Sequence, residues 1–402
     1  MRSRVPFIFG FVFLLLLHGL PSRAQVVDCN PGPWGELRYS KVFLEVPEST
    51  LQLFASPPAA TMWRFPEYST AEELIEYLES TAQSRPDVVE LFRKEIALQE
   101  LPEDEEVRAF PSRKAILAIP PDILRKIYAK LSDFSGNRYH YRPVFIDSTS
   151  PREWFAPLNL PAPAIELIEQ LSYPVGDSTL AFSDVPLLFQ YAARVEEDRA
   201  LRRAVTRSQT LVLELEIPAD ANAAKALADY WTLEGKVKST APLLESVLRV
   251  TEPDNTIDPS NFFPAVPKKY LYEFPSNGDG LGGVFPDSIW TSFNFFRAFP
   301  ETPEVETTSL TARLSEKYES IDTASRYGDM VVFRNAESGN IVHACVYVAD
   351  DIVLTKNDRS QLTPWVLMKL DNVKARFSWR GEIEISTWRP LLKGNAPRAI
   401  GQ

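Results

Sequence analysis

Three polar residues are of types that could serve as a nucleophile, a base and an orienting group: Ser288, His343 and Asn357. Ser288 follows Pro286-Asp287 and precedes Ile289-Trp290-Thr291-Ser292-Phe293, which reads as the start of a buried aromatic helix. A nucleophile gains from that place, because first-turn amides and the helix dipole stabilise negative charge. His343 heads the apolar run Ile341 to Tyr347, a strand signature, and Gly328-Asp329-Met330-Val331-Val332-Phe333 reads as the strand before it. An imidazole can deprotonate a nucleophile and later protonate a leaving amine. A hairpin turning at Ala349-Asp350-Asp351 sets a residue near 357 opposite the histidine. A three-residue loop selects Asn357, whereas two-residue turns select Lys356 or Asp358. Asn357 is preferred, since its amide oxygen can accept the imidazole N–H. Each residue also has a plainer use: Asp287-Ser288 as a helix N-cap, His343 as a satisfied strand residue, Asn357 as a strand-end turn.

With Gly-Asp opening the preceding strand, this constellation resembles the core of the NlpC-type cell-wall peptidases, a branch of the papain-like superfamily. The resemblance covers about residues 268–395 and rests on Gly328-Asp329 and His343-x-x-x-Tyr347, flanked by Thr355-Lys356-Asn357 and Pro364-Trp365. It implies an α+β domain in which a helix packs on an antiparallel sheet. In the family an aspartate-cysteine pair opens that helix; Asp287-Ser288 aligns with it, so Ser288 stands where the thiol would be. The implied catalytic set is Ser288, His343 and Asn357, acting on a peptide, peptidoglycan or acyl substrate. A thiol of pKa about 8.5 is readily ionised beside an imidazolium. A serine hydroxyl is a far weaker acid and needs a working base and an oxyanion hole, the latter worth about 3–4 kcal/mol. The expectation is therefore an NlpC-like domain degenerate at its nucleophile, acting on or binding amide-containing ligands such as cell-wall peptides. An active Ser/His hydrolase or acyl transferase, and a structural envelope protein, are the alternatives.

Cys345 lies two residues beyond His343 and on the same strand face. A strand position cannot present sulfur as a helix terminus would, so Cys345 reads as structural. Cys29 is the only other cysteine. Export makes a bond between them chemically possible; one buried and one exposed thiol is the alternative.

The elements that must position these groups begin after a processing signal. Arg2 and Arg4 precede the apolar run Phe7 to Leu17, and Ser22-Arg23-Ala24 offers a cleavage site, giving a signal peptide over 1–24. The expected location is periplasmic or extracellular, with no integral membrane segment after cleavage. The chain carries −11, and loss of Arg2, Arg4 and Arg23 leaves 40 basic against 54 acidic residues. So acidic a surface argues against a nucleic-acid partner. No cofactor is implied. A structural zinc needs about four clustered ligands, and His140 and His343 are far apart in the chain.

The remaining length exceeds one ordinary core and predicts two domains, an α+β unit of unknown function over 25–265 and the NlpC-like domain over 266–402. Tyr39–Val46, Thr50–Phe54 and the alternating Leu211–Ile217 read as strands. Thr70-Ala71-Glu72-Glu73 is a capping box opening a helix with Leu74, Ile75 and Leu78 inward. Pro120-Pro121 opens another with Ile123, Leu124, Ile127 and Leu131 at helical spacing. The acidic run Glu103–Glu106 reads as a linker. Gly278-Asp279-Gly280-Leu281-Gly282-Gly283 lacks the strand a dinucleotide loop requires and reads as a flexible lead into the next helix.

Overall fold

The computed structural model describes residues 26–82, 85–101, 103, 106–238, 240–249, 255–280, 283–301 and 310–392. The signal segment expected over 1–24 lies outside them, as do Asp104 and Glu105 of the acidic run and Leu281 and Gly282 of the glycine cluster. The fold is α+β, with several antiparallel sheets.

Two sheets frame the candidate site. The first contains β1 (Val26–Asp28), β2 (Leu37–Leu44), β3 (Ser208–Glu216) and β4 (Thr256–Ile257) in that order. β2 and β3 pair from Leu37↔Leu215 to Leu44↔Ser208. The second holds β5 (Tyr318–Ile321), β6 (Met330–Asn335), β7 (Ile341–Ala349), β8 (Ile352–Thr355), β9 (Val366–Lys369) and β10 (Ile383–Pro390). Its spatial order is β5-β10-β6-β7-β8-β9. Between the strands of the first sheet, residues 54–206 build two small three-stranded sheets surrounded by helices.

Local chemistry explains several of these elements. Thr70 and Glu73 form the reciprocal capping box that starts α1 (Ala71–Thr81), and Leu74 and Leu78 are fully buried beneath it, with Ile75 at its margin. Pro121 opens α2 (Pro121–Leu131), whose Ile123, Leu124, Ile127 and Leu131 are buried as their spacing predicts. The stretch Thr50–Phe54, read as a strand, is instead the end of a helical turn, Glu48–Leu51, and a bend. Its two buried residues, Leu51 and Phe54, are three apart, which is a helical and not a strand period.

The hydrophobic cores divide differently from the expected boundary at 265. One cluster runs from Phe54 to Ala204. Another joins Leu37, Leu211, Leu213 and Trp231 to Tyr327, Val346, Val348, Leu354 and Leu367. The β1–β4 sheet thus shares its core with the C-terminal sheet, while the first cluster is built mostly by residues 54–206 and also takes in Ala375. Alternating apolar residues on β3 need a partner, and β7 to β9 supply it.

Gly328, in the turn just before β6, has φ +90°, and a Cβ there would stand 2.2 Å from the Phe296 ring. Only glycine fits both demands. The next residue, Asp329, is buried and accepts both a forked pair of bonds from Arg389 at 2.8 Å and the amides of Ser325 and Arg326. The Gly-Asp dipeptide is therefore a built corner that fixes where β6 starts.

Candidate functional site

Asp287 caps the short helix α4 (Ser288–Asn294), accepting the Trp290 amide at 2.8 Å, while its other oxygen accepts Arg359 Nε at 2.7 Å. Ser288 is thus the first helical residue and not the cap. Its side chain is buried, and Oγ accepts the Ala344 amide of β7 at 3.3 Å. α4 lies on β7, packing Phe293 against Met330, Val332 and Ala344. Trp365 anchors it from the side, donating its indole N–H to Thr291 Oγ1 at 2.8 Å.

His343 projects to the other face of this sheet. Successive strand residues alternate, so Ala344 faces α4 while His343 and Cys345 face α5 (Leu370–Ser378). The ring stacks on Phe377 with centroids 4.5 Å apart and meets Phe333, its cross-strand partner, edge-on at 5.6 Å. Its Nε2 lies 2.9 Å from Thr355 Oγ1. Among the described residues no hydrogen bond joins the ring to Ser288. Burial, reinforced by the neighbouring Arg376 guanidinium, pushes the imidazole pKa down to about 3. The ring is neutral at ordinary pH and a weak base. Arg376 itself is clamped by Asp147, with two contacts of 2.7 Å.

The ring contact expected of Asn357 is made instead by Thr355. Ala349 pairs with Ile352 and a bulge follows, after which Tyr347↔Val353 and Val346↔Leu354 restore the register that sets residue 357 opposite 343. β8 nevertheless ends at Thr355, and the chain leaves the sheet before Asn357 can reach the ring. Thr355 lies diagonally across from His343 on the same face, within reach of a long side chain. That diagonal was the one signal in the sequence that could have found it. Asn357 Nδ2 is directed at Met368 Sδ, 3.4 Å away, and its Oδ1 is buried with no hydrogen-bond partner.

Ser288, His343 and Asn357 nonetheless line one cavity, of about 740 Å³. Its far wall comes from residues 54–206, through α3 (Arg138–Tyr141) and the following Arg142. Lys356 lies between the two walls, fully buried, donating to the carbonyls of Asp358 and Ser360, and 5.4 Å from the Trp365 ring centroid. Burial lowers its pKa to about 7, with Asp358 and Asp287 opposing and Arg142 and Arg359 adding to the effect. The sequence offered Lys356 only as an alternative to Asn357 opposite His343 and did not single out the arginines, because these groups meet only through the fold.

Cys29 and Cys345 are both free thiols. Cys345 is buried among Phe333, Val353 and Val373, and burial raises its pKa far above the usual thiol range. Cys29 is raised to about 11, chiefly by burial. Among the described residues, no group of three or more His, Cys, Asp or Glu could hold a metal, and no helix is long and apolar enough to cross a membrane.

No protein-family model, curated protein or solved structure matches the chain.

Proposed function

We propose that this is an exported protein whose C-terminal part is an NlpC-type, papain-like domain that binds an amide-bearing ligand, a cell-wall peptide in the first instance, without cleaving it. The observation that carries this reading is the buried, unpartnered Asn357 Oδ1 beside the cavity. An orphaned acceptor is costly in a folded protein, about 1–3 kcal/mol, and a ligand N–H would relieve it. The local chemistry argues against turnover. Ser288 Oγ is bonded to a backbone amide, and His343 is neutral, stacked and turned to the opposite sheet face. A hydroxyl cannot lose its proton to so weak a base.

A second reading, hydrolysis or acyl transfer through Ser288, is favoured by one feature: Thr355 holds one ring nitrogen in the way a third catalytic group would. Incubation with muropeptides separates the two. Binding without product, weakened at least tenfold by Asn357→Leu, is the outcome expected of a binding domain. Product that forms with native protein and vanishes in both Ser288→Ala and His343→Ala would replace that reading with the enzyme.

A further inference from the structure

The cavity is basic in an acidic protein. Seven arginine or lysine side chains line it against three aspartates, while the whole chain carries −11. Part of that excess is neutralised in place. Arg359 pairs with Asp287 at 2.7 Å, Arg142 with Asp358 at 3.0 Å, and Arg376 with Asp147 at 2.7 Å. Arg207 pairs with Glu45 at 3.3 Å, and three cations have no carboxylate within ion-pair distance among the described residues: Arg138, which lies over the rings of Phe54 and Tyr139, Lys356 and Arg380. Lys356 is held only by backbone carbonyls and an aromatic face. Arg380 donates to the Tyr141 carbonyl at 3.1 Å and otherwise lies against the rings of Tyr141 and Trp379.

These groups crowd one another. Arg142 and Arg380 both lie over the Tyr141 ring, at 5.8 and 5.3 Å from its centroid. Gathering positive charges at a partly desolvated wall is unfavourable unless an anion completes the set. A guanidinium presents a fork of donors that matches a carboxylate or phosphate edge, and a lysine adds a point charge.

We propose that this part of the cavity is a subsite for an anionic group, a carboxylate or a phosphate, held by Arg142, Arg380 and Lys356. The inference rests on reading the cavity as a ligand site and deepens it: the ligand presents its amide near Asn357 and a negative charge toward the wall built by residues 138–142. It also gives the 54–206 unit a role, since Arg142 and the Tyr141 ring come from it.

Titration calorimetry on the full chain tests the subsite with three probes: N-acetyl-alanine, its neutral methylamide, and inorganic phosphate. One anion is expected to bind at least tenfold more tightly than the methylamide, and the tighter of the two assigns the ligand class. Arg142→Gln and Arg380→Gln should each cut that preference below threefold and leave the methylamide affinity unchanged. Arg142 is more than half exposed, so Arg142→Gln decides alone if Arg380→Gln does not fold. Anions that bind no better than the methylamide, or a preference that survives both substitutions, overturn the subsite. Anion binding with no measurable methylamide binding would instead remove the amide-binding reading and keep the subsite.

Discussion

Thr355 Oγ1 and His343 Nε2 meet at 2.9 Å, and both residues are fully buried. Strand alternation turns the ring away from α4, and the hydroxyl on the neighbouring strand holds one ring nitrogen while the ring stacks on Phe377. Removing the hydroxyl should therefore leave Nε2 buried and unpaired. Thr355→Val is expected to cost about 1–3 kcal/mol of unfolding free energy, the usual penalty for an orphaned polar group. Urea denaturation measures it, and a change below a few tenths would mean the contact contributes little.

His343 and His140 are both driven by burial to pKa values of about 3. Their unfolded value is about 6.5, so between pH 6.5 and 3 the unfolded chain binds more protons. Stability should be full above pH 6.5 and decline as the pH falls through that window. His343→Gln, which keeps a polar partner for Thr355, should reduce proton uptake on unfolding at pH 5 by about one. An unaltered slope of stability against pH would show that the imidazole is not buried neutral.

Asp184 behaves in the opposite sense. It accepts the Tyr128 hydroxyl at 2.6 Å, its other oxygen has no partner, and burial raises its pKa to about 7 despite that bond. With the folded value above the unfolded one near 3.9, its contribution is complete at low pH and is lost as pH rises through 7. Asp184→Asn should therefore stabilise the protein at pH 8, by roughly 1–3 kcal/mol, and make little difference at pH 4. Thermal unfolding at the two pH values checks the sign.

Gly328→Ala should be damaging for two reasons that act together. The backbone at φ +90° disfavours a side chain, and the new methyl would collide with Phe296. A loss of about 2–4 kcal/mol is expected. The paired variant Gly328→Ala/Phe296→Ala should recover the steric part only, which denaturation of both proteins would separate.

What could be read directly from the chain was local. The capping box at Thr70 and the proline start at Pro121 announce their helices because the signals lie within one turn. The strand bearing His343 and the helix beginning at Ser288 were legible for the same reason. The Asn357 register was legible too, yet its role was not, because nothing local says that β8 stops at Thr355. Which sheet face α4 would cover depends on Phe293 meeting Met330 and Val332, residues some forty positions away. Arg142 stands more than two hundred positions before Lys356 and Arg380, so these cations meet only after residues 54–206 fold back onto α5.

The pairing of Leu44 with Ser208 has a consequence for biogenesis. As the polypeptide emerges, β2 can pair only with the three residues of β1, and its edge toward β3 stays open until roughly 160 further residues have been made, a long loop to close. Meanwhile its unpaired edge is free to join another chain. Any delay in supplying β3 leaves a sticky ribbon waiting near the start of the molecule, so yield in a cell should depend on holding that ribbon apart from its copies.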